Sequence, residues 1–462
     1  MIKRNDEFSQ NQSEGFAKKK YILVSLISGL SLSTLFLFQN CTSGLGTDLS
    51  KVSPANSTST QDSSTSNGGG TGSGGNSSNN GGTTNTGTSS TTTTSSTTTT
   101  SGSTTSAQAC STSTGVASNF PCSTYFNVAV DGIALTQAQK NYSDHLINGL
   151  LARGGWGNGN VFQIDFSIDV LNFNAASNRY FSVDTAGDWT PEGDALTRVP
   201  APASGSGNGF EGANTTCSDD GDCHYIALDK TNKKLYEVYR AAANGSTLTT
   251  PGYGGIFVWD FNTVYPQKLR GDTCTSADAG GFSIGAMMFS ADEIKAGSIN
   301  HAIRFILPNN RIANRTYVRP ASHTTGDGKT WAPAPTTDLT EAPLANPSLE
   351  PGFPYGTRLR LKANYDISKL SSSAQVVAKA LKKYGMILAD GGNILVTAQS
   401  DQYTTAKYAD LGFDARSLSA LKPGDFEVVP PEKPVVDLTF TNRATVIGNM
   451  IKVQYLDCER VP

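Results

Sequence analysis

Short runs in which apolar and polar residues alternate dominate the chain from about residue 110 onward. Residues 161–170 read Val-Phe-Gln-Ile-Asp-Phe-Ser-Ile-Asp-Val, and similar runs occur at 224–228, 234–239, 255–261, 299–307, 316–319, 357–364, 386–389, 394–397 and 444–454. A period of two places one set of side chains on each face of a strand. Turn-forming residues separate the runs, as in Lys230-Thr231-Asn232-Lys233 and Asp390-Gly391-Gly392-Asn393. Two helices are predicted, over 136–151 and 373–384. The second has serines at its start, Ala, Val and Leu at helical spacing, Lys382 and Lys383 in its last turn, and Gly385 as a stop. The pattern predicts a mainly β body, a single large β-sandwich or jelly-roll domain with a few peripheral helices.

A different pattern governs the first 109 residues. Lys18, Lys19 and Lys20 precede an apolar run from Tyr21 to Phe38, and Cys41 follows at once. This order of basic stretch, apolar stretch and cysteine resembles a bacterial lipoprotein signal peptide. The resemblance implies that residues 1–40 are removed, that Cys41 carries lipid, and that the body is anchored in the cell envelope outside the cytoplasm. A plain secretory signal or an uncleaved transmembrane anchor would put the body on the same side. Residues 41–109 are almost entirely Ser, Thr, Gly and Asn after the cysteine. So little burial is available there that the tract is expected to stay disordered. Such a tether spans roughly 45 Å r.m.s.. The body occupies 110–462.

Cysteine usage fits export. Of seven cysteines, setting Cys41 aside leaves Cys110, Cys122, Cys217, Cys223, Cys274 and Cys458. An even number in an exported chain reads as disulfides. Local closure favours Cys110–Cys122 and Cys217–Cys223, which leaves Cys274 for Cys458. Neither short spacing is that of a zinc ribbon. A net charge of −3 gives no electrostatic reason to expect a nucleic-acid partner. Phosphate-loop and His-Glu-x-x-His motifs are absent, and no cofactor is implied.

Several phrases carry the candidate chemistry: Gly221-Asp222-Cys223-His224, Leu235-Tyr236-Glu237, Thr275-Ser276-Ala277-Asp278-Ala279-Gly280-Gly281, Ile299-Asn300-His301-Ala302-Ile303-Arg304-Phe305, Arg358-Leu359-Arg360-Leu361-Lys362, and Leu381-Lys382-Lys383-Tyr384-Gly385-Met386. Together they resemble a family of exported bacterial proteins of unassigned function, over about 211–427. The resemblance implies a domain outline and no reaction.

On extended strands, Asp222 and His224 share a face with Ile226 and Leu228, and His301 shares one with Ile303 and Phe305, while Arg304 points the other way. A polar group on an apolar face is either a hydrogen-bonded core residue or the lining of a groove. In the second case Asp222, His224, Glu237 and His301 are the candidate catalytic set, a carboxylate orienting an imidazole for proton transfer. Asp278, Arg304, Arg358, Arg360 and Lys362 are the candidate substrate-binding residues, suited to carboxylates or sulfates. Asp390 is explained by its turn. Trp156, Trp189, Trp259 and Trp331 suit either sugar stacking or a core. These readings converge on a surface-tethered protein that binds or cleaves an extracellular polysaccharide, with an anionic polymer such as a uronate fitting the cationic residues, by hydrolysis or β-elimination if it is an enzyme. Two alternatives stand beside it. One is a non-catalytic adhesin or structural lipoprotein; the other is a cupin-like metal enzyme using His224, His301, His323 and Glu237.

Overall fold

Alternation along the body becomes pairing. His224–Asp229, Lys234–Tyr239 and Gly255–Asp260 form an antiparallel meander, with Leu171–Asn172 added in parallel at one edge. The predicted turn at 230–233 closes its hairpin, with Lys233 at φ 55°. The computed structural model describes residues 108–176, 179–184, 193–218, 221–251, 254–265, 269–271, 275–322, 352–430 and 436–437. The expected signal, Cys41 and the tether up to residue 107 lie outside them, as do Trp189, Cys274, His323, Trp331, Cys458 and the run at 444–454. All described residues belong to one compact unit.

The meander is buried on both faces. Tyr225, Ala227, Val238, Ile256 and Val258 join a smaller apolar cluster with Phe181, Val199, Phe210 and Leu248. Ile226, Leu228, Leu235, Phe257 and Trp259 enter the main core. The smaller cluster is shared with a four-stranded sheet of Arg198–Ala201, Arg179–Asp184, Thr247–Thr249 and Ala242–Asn244. Its strands are short and polar, and no apolar alternation announced them.

The main core also holds one face of a six-stranded sheet, in the order Ile164–Asp165, Val396–Thr397, Ile303–Leu307, Met386–Gly391, Arg358–Leu361, Phe426–Val429. A fourth, three-stranded sheet joins Phe353–Tyr355, Ile312–Tyr317 and Val436–Asp437. The protein is sheet-rich with few helices. Among the described residues five strand pairings are parallel, so the sheets are mixed rather than the antiparallel ladders a jelly roll would have.

Both predicted helices are present. Gln137–Ala152 starts at a capping box between Thr136 and Gln139, and Ser143 accepts the amide of Val428 on the sheet's edge strand at 2.9 Å. Ser372–Lys383 is capped by Ser371 and followed by Gly385 at φ 71°. Ile284–Met287 and Ala291–Ala296 were not anticipated, being too short and too buried to show an amphipathic period. Cys110–Cys122 and Cys217–Cys223 are disulfides, the two pairings favoured by local closure.

Candidate functional site

One irregularity in the six-stranded sheet decides where its polar groups gather. Ile303–Leu307 runs parallel to Met386–Gly391, with Phe305 opposite Leu388 and then Ile306 opposite Asp390. Ala389 is therefore an extra residue, and strict alternation breaks at it. Without this bulge Asp390 would follow Met386 and Leu388 into the core. With it, Asp390 moves to the face that Arg304 occupies, the re-aiming for which bulges are known. The Asp390 carboxylate lies 3.2 Å from Arg304 Nη2, and its side chain is 25 % exposed. On the other side of Arg304, Thr397 Oγ1 accepts from Nη1 at 2.7 Å, and Thr397 is in register with Asp165. Four adjacent strands thus contribute Asp165, Thr397, Arg304 and Asp390.

Asp278 completes the collar around Arg304 from a loop. It accepts from Nε and Nη2, each at 2.9 Å. Its own amide donates to Ser276 Oγ at 3.0 Å, and the same hydroxyl bonds the Phe282 carbonyl at 2.5 Å. Gly280 N donates to the carbonyl of Ala389, the bulge residue, at 2.7 Å. A Cβ on Gly280 would stand 3.0 Å from that carbonyl oxygen and 2.9 Å from the Phe282 ring. Glycine is required for the loop to dock here.

The meander brings the imidazole. His224 is 6 % exposed, and its Nδ1 lies 2.9 Å from Glu211 Oε2, which also accepts the His224 amide. Glu211 Oε1 bonds Ser167 Oγ at 3.1 Å, and Ser167 Oγ bonds Asp165 Oδ2 at 2.7 Å. This chain links the imidazole to the row on the six-stranded sheet. Nε2 of His224 is buried without a hydrogen-bond partner. The Cys217–Cys223 disulfide immediately precedes His224, and Asp222, between them, is exposed. Tyr239 pairs with His224 across the hairpin, ring centroids 5.7 Å apart.

These groups act on each other's charge. Burial, then the Asp278 charge, pushes the Asp390 carboxyl well above the ordinary carboxylate range against the pull of Arg304. Asp278 holds the fork of the guanidinium, and Asp390 is the carboxyl pushed toward its protonated form. Burial alone would lower the His224 pKa, but the hydrogen bond and charge of Glu211, aided by Asp222, raise it to about 9. Burial likewise opposes the charged form of Glu211, and the bonds and charge of His224 outweigh it, lowering that carboxyl. Burial would also lower the Arg304 guanidinium; Asp278, Asp390 and Asp222 together raise it. Asp165 is pushed up, chiefly by burial. The result is an imidazole and a carboxyl both pushed toward their protonated forms, within electrostatic reach of a fixed guanidinium.

Of the candidate catalytic set, Asp222 and His224 are here and the other two are in separate networks. Glu237 is fully enclosed, accepting from Ser283 Oγ at 2.7 Å, Gly285 N at 2.8 Å and Trp259 Nε1 at 2.9 Å. It holds the Ile284–Met287 helix to the meander. His301 is fully enclosed too, bonded to the Ala302 carbonyl and to Glu293, which caps Ala291–Ala296 and accepts from Thr114. Asp278 and Arg304 of the substrate-binding set meet, but Arg358, Arg360 and Lys362 do not join them. Arg358 donates to the carbonyls of Tyr384, Tyr125 and Val128. Arg360 bonds Glu427 and the Val130 carbonyl, and Lys362 bonds the Gly424 carbonyl. These cations pin the 125–130 segment and the 424–427 strand entry to the sheet. Trp156 and Trp259 are core residues that donate to the Leu421 carbonyl and to Glu237.

Glu211, Asp165, Ser167 and Thr397 were missed by sequence reasoning, and Asp390 was assigned to its turn alone. Asp165 and Ser167 stood on one face of the alternating run at 161–170, and that shared face was the available signal. An apolar cavity of about 140 Å³ lies apart, against Tyr125, Val130, Tyr142, Ile387 and Val429, and none of the acid-cluster residues line it. Among the described residues no three His, Cys, Asp or Glu side chains are grouped as metal ligands; His323 of the cupin-like alternative is not among them. No helix among the described residues is long and apolar enough to cross a membrane. Comparison with protein-family models, with curated proteins and with solved structures found no match.

Proposed function

We propose that the cluster around Arg304 is an acid–base site, carried on an envelope-tethered lipoprotein and acting on an extracellular polysaccharide. The observation that carries this reading is a buried guanidinium shared by two carboxyl groups, one of them partly exposed, beside a buried imidazole whose Nε2 has no partner. A core ion pair needs none of the last three features. Buried polar atoms are nearly always satisfied within a protein, and a proton-bearing carboxyl near neutral pH is what general acid catalysis requires. In this reading Asp390 gives a proton to the leaving oxygen, Asp222 accepts one, and His224 and Arg304 orient the substrate. Lipid on Cys41 and the 41–109 tether would hold the site off the membrane, which favours a fixed polymer over a diffusing metabolite. As architecture, we read the six-stranded sheet and the meander as layers of an irregular β-sandwich, supported by the single main core they share.

The non-catalytic adhesin remains the second reading, favoured by the purely structural engagement of Glu237, His301, Arg358 and Arg360. A polysaccharide panel read for new reducing ends and for unsaturated uronates separates the two. Cleavage lost in His224→Ala and Asp390→Asn supports the acid–base site. Binding without cleavage, unchanged in both variants, supports the adhesin.

A further inference from the structure

We propose that the Arg304 site takes an uncharged, hydroxyl-bearing glycan and rejects uronate polymers, so that its reaction is hydrolysis and not β-elimination. The inference rests on the acid–base reading above and narrows it, against the anionic polymer expected from the sequence.

The first ground is donor supply. A guanidinium has five N–H groups, and a carboxylate is recognised by two of them side by side. Arg304 gives Nε and Nη2 to Asp278, a further Nη2 contact to Asp390, and Nη1 to Thr397. One N–H is left, and no fork. The other cations expected to hold a polyanion, Arg358, Arg360 and Lys362, are occupied by backbone carbonyls and Glu427.

The second ground is charge. Asp165, Glu211, Asp222, Asp278 and Asp390 face Arg304 and His224, with Arg240 further out, its guanidinium carbon 5.5 Å from the centroid of the Tyr239 ring. In this reading Asp390 is neutral and adds no charge; of the four other carboxyl groups, Asp222 stands at the exposed side, where an arriving substrate meets it first. A uronate arriving there meets like charge, which costs affinity. The third ground is His224 Nε2, buried and unpartnered. A hydroxyl or ether oxygen of a sugar satisfies it, and the carboxylates accept from sugar hydroxyls.

The chemistry follows. β-Elimination removes the proton beside a uronate carboxylate, which must first be neutralised by cations this site has already committed. Hydrolysis needs none. The Asp390 proton passes to the bridging oxygen as the C–O bond breaks and its electron pair stays on that oxygen. Water adds its hydroxyl to the anomeric carbon, its remaining proton goes to Asp222, and exchange with solvent restores both carboxyls.

Matched polymers test this with the full-length protein: polygalacturonate against its methyl ester, and a β-glucan against its C6-oxidised glucuronan. Binding is read by affinity electrophoresis, products by reducing ends and by ultraviolet absorbance of unsaturated uronates. The expected result is uncharged members bound about tenfold or more tightly than their charged partners, reducing ends without unsaturated products, and a smaller gap in Asp222→Asn. Uronates bound equally well, unsaturated products, or a gap unmoved by Asp222→Asn would overturn the inference while leaving a glycan site standing. Failure of the wild type to bind any of the four overturns both.

Discussion

Arg304 meets Asp278 through two parallel hydrogen bonds of 2.9 Å, with the arginine side chain 5 % exposed and the aspartate side chain fully buried. A buried pair of this kind contributes less by existing than it costs to break. Arg304→Met strands the Asp278 charge, and the expected loss is about 3–5 kcal/mol. Arg304→Met combined with Asp278→Leu should recover most of that stability and none of the activity. Denaturant titration of the two variants checks this. Equal stability of single and double variants would mean the ion pair is not buried as described.

The Glu211–His224 pair sets a pH window. His224 has a pKa of about 9 in the folded state against 6.5 unfolded. Its stabilisation is therefore fully present below about pH 6.5 and lost as pH rises through 9. Glu211 is shifted downward, so its share is present above its ordinary 4.5 and lost as pH falls. The shared contribution, on the order of 3 kcal/mol, is greatest at mildly acidic pH. Stability against pH for wild type and Glu211→Gln should differ most near pH 6 and converge toward pH 10; a constant difference would contradict the coupling.

Glu237 has the opposite sign to Glu211. Burial raises it from 4.5 to about 7 despite its three donors. The folded state then holds a proton that the unfolded state has lost, and this group's effect is a stability that declines as pH rises from about 4.5 to 7. Glu237→Gln keeps the shape and removes the titration. It should flatten the stability profile in that window and leave any glycan cleavage unchanged, as measured by parallel denaturation and activity profiles.

The Cys217–Cys223 disulfide closes a short loop directly before His224. Serine at both positions is expected to cost about 2–3 kcal/mol, and to weaken glycan binding more than the equivalent change at Cys110 and Cys122, which lie in the 110–122 segment away from His224. Affinity electrophoresis of the two double variants compares them directly.

What was legible in the sequence follows from what each signal measures. Alternation found the meander and the central strands because burial of one face is a local property of the sequence. It also placed His224 with Ile226 and set Arg304 opposite Ile303. It could not place Asp390, because one inserted residue, Ala389, reverses the face and a bulge leaves no trace in composition. Glu237 and His301 looked functional because a polar residue on an apolar strand face has the same sequence signature whether its partner is a ligand or a helix cap. Their partners, Ser283 and Glu293, lie on two short buried helices that the pattern did not show. Glu211 stands in a turn of only a few residues, and its bond to His224 depends on the bridge between Phe210 and Tyr225. Long-range pairing of that kind is a property of the fold.

Asp390→Asn tests the central claim most directly, since it removes one proton and keeps the size of the side chain and one acceptor for Arg304. On a glycan that the wild type cleaves, the account predicts about a hundredfold or greater loss in turnover with an unchanged melting temperature. An Asp390→Asn protein that cleaves at the wild-type rate would contradict it.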